Sequence, residues 1–297
     1  MNTELRKKYA VFTIDMERFS DTGCVKTQKQ QINDELLDGL DEYLDLLNDY
    51  DIRSTIFAVS SLALSSAERL VKHLQEGHEI ALHGYEHTAP TEIDDREFEE
   101  KLKKAKSDIE NTFNTAINGY RAPFFGLDDK RFKIVQKLGF KYDSSWMDTM
   151  QHAHAYGLPD LSGFDTVKNN IFRKCGFYEF GMSCSQIFGS NVPISGGGYI
   201  RLGNWTFMKT MIQKYIGKND FYVFYLHPFE MSKHRIPKIK NLRLKDKFYL
   251  KMGFASFRRK IKKIISMLSN AGFEFVTFSE LTDILDKQGL NSDEQNA

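Results

Sequence analysis

Two histidines four residues apart, His83 and His87, are the first residues in this chain whose type and spacing could do chemistry. Imidazoles at this spacing can reach one metal ion, and imidazole together with a carboxylate suits zinc and related ions. A bare HxxxH pair is more often two unrelated surface histidines. Because this pair closes an apolar, strand-like run and acids are available elsewhere, we interpret it as a candidate metal site. His78, which precedes the run, is interpreted as a structural hydrogen-bonding residue.

Two acids, Asp15 and Glu17, follow the apolar run VFTI near the start of the chain. On an extended strand, residues two apart point to the same side. One carboxylate could therefore serve as a general base and the other as a metal ligand. The alternative is a helix N-cap or an exposed turn.

Three more polar residues accompany other apolar runs. Arg121 could pair with a carboxylate and keep it ionised and oriented, or form a surface salt bridge. Asp143 lies in the next strand-like run. His227 follows FYVFYL, where it would be partly buried and able to titrate near neutral pH, or would be a core histidine with its hydrogen bonds satisfied.

The elements that must position these residues alternate between strand-like and helix-like runs. Strands are predicted at residues 9–15, 52–59, 78–83, 117–124, 140–145, 221–226 and 274–278. Helices are predicted at residues 28–49, 66–76, 94–113, 127–138, 204–216 and 257–270, with a short one from Ser279. Residues 147–198 are predicted to be irregular. Repeated β–α pairs indicate an α/β fold, a distorted barrel of about seven parallel strands whose working residues lie at the C-terminal strand ends.

The composition fits one folded domain. The chain has 297 residues, of which 41% are hydrophobic and 27% charged, and these values exclude disorder as the main state. We predict a short extension over residues 1–8, one domain over residues 9–286 and a frayed polar tail over residues 287–297.

Three cysteines without a CxxC pair indicate free thiols in a reducing compartment. The first residues lack the apolar core of a signal peptide. The longest uncharged run, Phe180–Ile200, is rich in Ser, Gly and Asn and does not resemble a membrane helix. We therefore expect a cytoplasmic protein, either free or peripheral to the inner membrane.

The net charge of +1 conceals an uneven distribution. Between Lys233 and Lys263 there are 13 Lys and Arg residues and one acid, Asp246, so the rest of the chain is acidic. Such a charge dipole favours an anionic partner, although a solvated surface is the simpler interpretation. An anionic membrane or a phosphate-linked lipid carrier would fit. Nucleic acid is not expected, because no nucleic-acid-binding motif accompanies the charge.

Taken together, TIDME, HGYEH, YRAPF, YDSSW and YLHPFE resemble, in order and rough spacing, the motifs of the polysaccharide deacetylases. This is the NodB-homology group, carbohydrate esterase family four, and the resemblance runs from about Tyr9 to about Asp286. Details such as GGGYIRL and LHPFE are most similar to the subgroup found in exopolysaccharide and surface-glycan clusters.

The resemblance implies a role for each matching residue. Asp15 would be the catalytic base and Arg121 the residue that holds it. His83 and His87 would bind a divalent metal ion, with zinc as the default and cobalt, nickel or iron also suited to these ligands. The backbone N–H of Phe124 would donate to the oxyanion.

The resemblance also makes His227 the catalytic acid, which Asp143 in the fourth motif region would tune. The first motif departs from the family pattern of adjacent aspartates, because its second acid is Glu17, one place further on. Strand alternation keeps Glu17 on the same side as Asp15, so we expect it to complete the metal site.

Several residues are candidates for binding a sugar. Gly197 and Arg201 could border the groove, although the glycines could equally form a flexible turn. Phe125 and Trp146 could stack on sugar rings or pack in the core.

The resemblance implies a metal-dependent enzyme that removes N-acetyl groups from an amino sugar of a bacterial surface polysaccharide or its precursor, free or lipid-linked. Two alternatives stay open. One is deformylation or cyclic-amide hydrolysis in the same fold. The other is a catalytically impaired glycan-binding homologue, which only Glu17 would favour.

Overall fold

The computed structural model of the chain describes residues 7–26, 28, 32, 35–187 and 189–294. The strands in these residues are β1 (Lys8–Met16), β2 (Ser54–Ala58), β3 (Glu79–Leu82), β4 (Gly119–Tyr120), β5 (Tyr142–Asp143), β6 (Asp165–Lys168), β7 (Ile171–Lys174), β8 (Phe177–Phe180), β9 (Cys184–Ile187), β10 (Ser190–Pro193), β11 (Phe221–Leu226) and β12 (Phe273–Phe275). The helices are α1 (Gly23–Lys26), α2 (Asp38–Asn48), α3 (Ser60–Ser65), α4 (Ala67–Gln75), α5 (Asp95–Phe113), α6 (Asp129–Lys137), α7 (Met150–Tyr156), α8 (Gly197–Leu202), α9 (Trp205–Ile216), α10 (Leu244–Tyr249), α11 (Phe254–Asn270) and α12 (Phe278–Glu294). None of these helices is both long enough and apolar enough to cross a membrane.

One curled sheet organises the fold. Its order is β11-β1-β2-β3-β4-β5-β8-β7-β6, and the first seven strands of this order run parallel. Strand β12 also pairs with β1, along residues Lys8–Ala10. These residues come before the part of β1, Phe12–Met16, that pairs with β2. The α/β fold with about seven parallel strands in a distorted barrel is therefore confirmed, as a curled half-barrel.

Strand β1 shows how the sequence sets the two faces of the sheet. Phe12 and Ile14 point outward into the apolar cluster that the covering helices share, whereas Val11 points into the inner cluster. The inward positions continue as Thr13 and Asp15, both buried. The inner face of β1 is thus apolar at the start of the strand and polar at its C-terminal end, because every second residue points inward.

The prediction that residues 147–198 are irregular was wrong. They hold α7 and five short strands, of which β6, β7 and β8 are joined antiparallel and β9 pairs antiparallel with β10. The pattern was weak because β6 is an exposed edge and lacks alternation, and because Asn170 and Cys175 take left-handed turns. The segment fills the space between β8 and β11, where the Val223 N–H donates to Ser183 Oγ at 3.0 Å.

Two predicted helix boundaries were also wrong. Helix α2 begins at Asp38 and not near residue 28, because Leu36 has a φ of 56°, which a helix cannot continue through. Residues 29–31 and 33–34 of that predicted helix lie outside the described residues. At the other end, α12 is longer than expected and continues to Glu294 through most of the predicted tail. Residues 1–6 of the predicted extension and 295–297 of the tail lie outside the described residues.

Helix α2 packs directly against the turn that follows β11. A Cβ added to Gly39 would lie 1.7 Å from the carbonyl oxygen of Pro228. Only glycine permits this approach, and the approach fixes the position of the residue before Pro228, which is His227.

Replacing Gly39 by alanine should therefore destabilise the protein. The added methyl group collides with backbone, so we expect Gly39→Ala to lower the free energy of unfolding by about 1–3 kcal/mol, the usual range for overpacking. Urea unfolding measures this. Gly217→Ala is the matched control, because Gly217 ends α9 with helical angles, is exposed and has 3.3 Å to its nearest atom. Equal stability of the two variants would contradict the packing argument.

Candidate active site

A buried ion pair lies at the C-terminal end of β1. The Arg121 side chain is fully buried, and its Nη1 donates to Asp15 Oδ1 at 2.6 Å and to Thr13 Oγ1 at 2.8 Å. The guanidinium also lies 4.0 Å from the centre of the Phe57 ring. Breaking such a buried pair by removing one partner costs about 3–5 kcal/mol, because the other charge is left buried without compensation.

The remaining nitrogens of Arg121 donate to Ser144, which directly follows β5. Its Nε donates to the Ser144 carbonyl oxygen at 3.1 Å, and its Nη2 donates to Ser144 Oγ at 3.0 Å. Because every nitrogen of the guanidinium is engaged, Asp15 is held in one orientation. The structure brings Asp15 and Arg121 together as the sequence predicts.

Glu17, His83 and His87 form a second buried group beside this pair. Each offers one ligand atom, and the three atoms lie within 4.8 Å of one another. The Glu17 carboxylate is in direct contact with Nε2 of His87. His83 Nδ1 donates to the carbonyl oxygen of Arg121 at 2.8 Å, which leaves the lone pair on Nε2.

The electrostatics of this group suit a metal ion. Burial lowers the pKa of His83 to about 4, so its imidazole is neutral. Burial opposes ionisation of Glu17, but the charges of His87 and His227 hold the pKa of that carboxyl at about 2. Two imidazoles and one carboxylate, with the outer nitrogen of His83 bound to a carbonyl, are the donor set of a catalytic divalent-metal site. The residues present therefore fit the predicted ion.

A second cluster of possible ligands fits an ion poorly. It consists of His73, Glu76 and His78. The Ser54 N–H donates to Nδ1 of His78 at 2.9 Å, so the neutral ring carries its proton on Nε2 and has no lone pair to offer there. His73 Nε2 lies 2.8 Å from Asp41 Oδ1. His78 thus has the structural role that its sequence position indicated.

The predicted strand at residues 117–124 is only two residues long, because a strained turn replaces its end. Phe124 and Phe125 have φ values of 58° and 56°, both left-handed. The backbone bonds of the turn are donated by Phe125 and Gly126 to Ala122 and Pro123, which leaves the Phe124 N–H outside them. The Phe124 ring lies 4.4 Å from the His87 ring. Strain of this kind is characteristic of functional sites.

Asp143 supports this turn and does not contact His227 in the way the sequence suggested. It is fully buried and accepts from the Ser145 N–H at 2.9 Å and Ser145 Oγ at 2.8 Å. Ser145 Oγ in turn accepts from the Ala122 N–H at 2.8 Å. Burial beside Asp143 raises the pKa of Glu179 well above its usual range, so Glu179 stays protonated and donates to Asp143.

Glu230 is the carboxylate that contacts His227. Its Oε2 accepts from the His227 backbone N–H at 3.2 Å and lies 3.3 Å from Nδ1 of the ring. The other ring nitrogen lies 3.9 Å from Glu17 Oε1. Burial opposes protonation of His227, but the carboxylates of Glu17 and Glu230 raise its pKa to about 9. The imidazole is therefore a cation at neutral pH and can donate a proton.

Arg201 and Gly197 support Glu230 and do not border a groove as predicted. Arg201 is buried, and its Nε donates to Glu230 Oε1 at 3.1 Å. Its guanidinium carbon lies 4.1 Å from the ring centre of Phe254. A Cβ on Gly197 would lie 2.2 Å from Glu230 Oε2, so the glycine is needed for close packing. Sequence spacing could have suggested Glu230, which follows His227 by one turn, but not these long-range contacts.

The two remaining predicted sugar contacts lie in different places. Phe125 is 8% exposed and packs edge-on against Tyr225, with ring centres 5.0 Å apart. Trp146 packs against Phe172 and borders a separate cavity of about 990 Å³.

The cleft that reaches His227 has aromatic walls that the sequence did not single out. It has a volume of about 550 Å³, and its lining includes Tyr199, Tyr225 and Tyr249 beside His227. Tyr199 and Phe207 are 45% and 49% exposed at this cleft. Aromatic side chains of this kind can stack on the face of a sugar ring while the hydroxyl groups at its edge stay hydrated.

Two family models match the chain in succession. Residues 27–142 match the family described as polysaccharide deacetylase, and residues 144–283 match a domain of unknown function, DUF3473. The first match contains His83, His87 and Arg121, whereas His227 lies in the second. Asp15 and Glu17 precede both matches.

Two curated relatives that align with part of the chain are deacetylases by name. A peptidoglycan deacetylase of Helicobacter pylori is 29% identical over 37% of both chains. Chitin deacetylase 1 of Cryptococcus neoformans is 31% identical over 32% of this chain and 20% of its own length. The alignments thus span 37% of the length of the first relative and 20% of the second.

Among solved structures, a candidate polysaccharide deacetylase of Mycobacterium smegmatis superposes with a TM-score of 0.63 at 17% identity, over 97% of this chain and 94% of the other. A carbohydrate esterase family four pseudoenzyme of Bacillus anthracis superposes with a TM-score of 0.53 at 12% identity, over 93% of this chain and 66% of its own. Both likenesses concern the fold.

The metal group leads to a direct prediction. After loading and dialysis we expect about one zinc ion per chain, and we expect Glu17→Ala or His83→Ala to weaken zinc affinity by at least about tenfold, since each removes a ligand. Mass spectrometry of bound metal and competition with a chelator measure this. Glu76→Ala is the control, because it alters the second cluster. Loss of zinc in the control, with retention in the other two variants, would place the ion elsewhere.

Proposed function

Because the chain carries a polysaccharide deacetylase domain, we propose that it is a metal-dependent hydrolase that removes N-acetyl groups from an amino sugar of a bacterial surface polysaccharide or its precursor. One observation carries the proposal. The group formed by Glu17, His83 and His87 lies between a possible proton acceptor and a possible proton donor. The acceptor is Asp15, which is paired with Arg121. The donor is His227, which is paired with Glu230.

The first step needs a base that is held in position. Arg121 holds Asp15 through an ion pair whose hydrogen bond is 2.6 Å long. Asp15 would accept the proton of the water that attacks the acetamide carbon. A divalent ion held by Glu17, His83 and His87 would supply Lewis-acid polarisation of the carbonyl and a lowered pKa for the attacking water.

The second step needs an acid on the side of the leaving amine. His227 is protonated at neutral pH, and Glu230 fixes its ring through Nδ1, so the proton on Nε2 lies on the side of Glu17. His227 would donate this proton to the sugar nitrogen as the carbon–nitrogen bond breaks. The N–H of Phe124, held in its strained turn, would donate to the developing oxyanion. The products are acetate and a free amino sugar.

We also propose a cytoplasmic location and a substrate that is either free or lipid-linked. Cys175 and Cys184 form no disulfide among the described residues, which supports a reducing compartment. The aromatic walls of the cleft beside His227 support a sugar ligand.

Removing the base or the acid should abolish turnover without unfolding the protein. We expect Asp15→Asn and His227→Ala to lower acetate release from N-acetylated oligosaccharides by at least about 100-fold, since each removes a proton-transfer group. His154→Ala, on an exposed face of α7, is the matched control. Circular dichroism monitors folding. Near-normal turnover in both variants, or formate or a ring-opened product in place of acetate, would refute the assignment.

The acid should also set the high-pH limit of activity. His227 must be protonated to act, and its raised pKa keeps it so until about pH 9, so the rate should fall as the pH rises through that value. Glu230→Gln removes a carboxylate that raises this pKa, so the high-pH limb should shift to lower pH. A profile of kcat/KM against pH measures both. An unshifted limb in the variant would show that Glu230 does not control the acid.

A further inference from the structure

Helix α10 and the turn after it carry an exposed apolar stripe. Leu244, Phe248 and Met252 are 84%, 54% and 46% exposed. The Met252 N–H donates to the Phe248 carbonyl oxygen at 3.0 Å, so the four-residue spacing of the helix continues past its last residue. Large apolar side chains aligned on one exposed face are characteristic of an interaction surface.

Lysines flank this stripe on both sides. Lys245, Lys247 and Lys251 are exposed and form no ion pair among the described residues. At about 100° per residue, one arc of roughly 160° holds, in order around the helix, Lys247, Lys251, Leu244, Phe248, Met252 and Lys245. The opposite side of the helix faces inward, where Leu250 is 4% exposed. We call this outward arc the α10 face.

The surroundings of the α10 face are strongly basic. The segment from Lys233 to Lys263 has 13 Lys and Arg residues and one acid, Asp246. That acid is already paired with Arg243 at 2.9 Å. Within the described residues, the three lysines of the face have no acidic partner, so the face itself carries positive charge.

We propose that the α10 face docks on an anionic lipid bilayer. Leu244, Phe248 and Met252 would enter the boundary between head groups and acyl chains, and the flanking lysines would meet the lipid phosphates. An apolar centre with basic borders matches both layers of such a membrane surface. A nucleic acid would satisfy the lysines but would leave the apolar centre exposed, so it fits less well.

The same helix forms part of the cleft that contains His227. Tyr249 of α10 lines that cleft, and Tyr199 and Phe207 are exposed at it. Five of the eight large hydrophobic side chains that are exposed among the described residues thus lie on the α10 face or at the cleft. In so far as the proposed deacetylase activity holds, docking places its cleft at the membrane, where a lipid-linked glycan would present its sugar.

Flotation with lipid vesicles tests the docking. The full chain is mixed with phosphatidylcholine vesicles that contain or lack phosphatidylglycerol, and the bound fraction is measured after centrifugation at low and high salt. We expect binding to the anionic vesicles only, weakened by salt. We expect the triple variant Leu244→Ser, Phe248→Ser, Met252→Ser to reduce the bound fraction at least about fivefold, and Lys245→Glu, Lys247→Glu, Lys251→Glu to do the same.

Matched controls test whether position matters. Leu64→Ser with Val71→Ser removes two other exposed apolar side chains, and Lys103→Glu, Lys130→Glu, Lys174→Glu reverses three other exposed lysines. Both controls should float like the parent chain.

The proposal would be overturned by no flotation of the parent chain, equal binding to neutral vesicles, an equal loss in the controls, or binding to single-stranded RNA without vesicle binding. Sedimentation tests a contact between copies of this chain. If the parent chain is a dimer that does not bind vesicles and the serine variant is a monomer, the α10 face is a dimer contact and the proposal is overturned. Acetate release from a soluble oligosaccharide, measured for every variant, should stay unchanged, so that failure of docking and failure of the proposed chemistry are separate results.

Discussion

The buried contact between Arg121 and Asp15 is the constraint on which the site depends. A charged guanidinium in a dry interior is tolerated only when its hydrogen bonds and its charge are satisfied, and here β1 and the segment after β5 satisfy them. The same residue offers its backbone carbonyl to His83. One side chain and its own main chain therefore hold Asp15, which we propose as the base, and orient His83, which we propose as a ligand of the ion. The positions of these groups are coupled, so a shift in the turn after β4 would disturb both.

The groups proposed as base and acid lie on either side of the candidate metal group, and each has an oppositely charged partner of its own. Asp15 has Arg121, and His227 has Glu230, which Arg201 holds from behind. Glu17 lies between the two halves and contacts both His87 and His227. The replacement of an aspartate by this longer acid, one place further along the strand, thus keeps the carboxylate within reach of the histidines. That geometry speaks against reading Glu17 as a sign of decay.

The sequence predicts the parts of the site that follow from local periodicity. Alternation along β1 places Asp15 on the inner side, with Glu17 just past the strand end, and the apolar run before His83 places it at a strand end. The supporting contacts could not be predicted in this way. Arg201 precedes Glu230 by 29 residues and is joined to it only by the packing of α8 beside β11. The short strands between residues 147 and 198 and the left-handed break at Leu36 were missed for the same reason, since their conformations are fixed by neighbours distant in the sequence.

Because β1 pairs with β12, which comes much later in the sequence, the site can be completed only after β12 has been synthesised. The inner cluster that supports Thr13 and Asp15 contains Val223 from β11 and Phe278 and Leu281 from α12. During synthesis, β1 emerges before β11 and β12, which pair with it, and before α12, which packs beneath it. A ribosome that stalls before residue 221 would release a chain with both aspartate and arginine of the central pair and no closed interior to bury them. The candidate site is in this sense completed by elements that are translated long after β1.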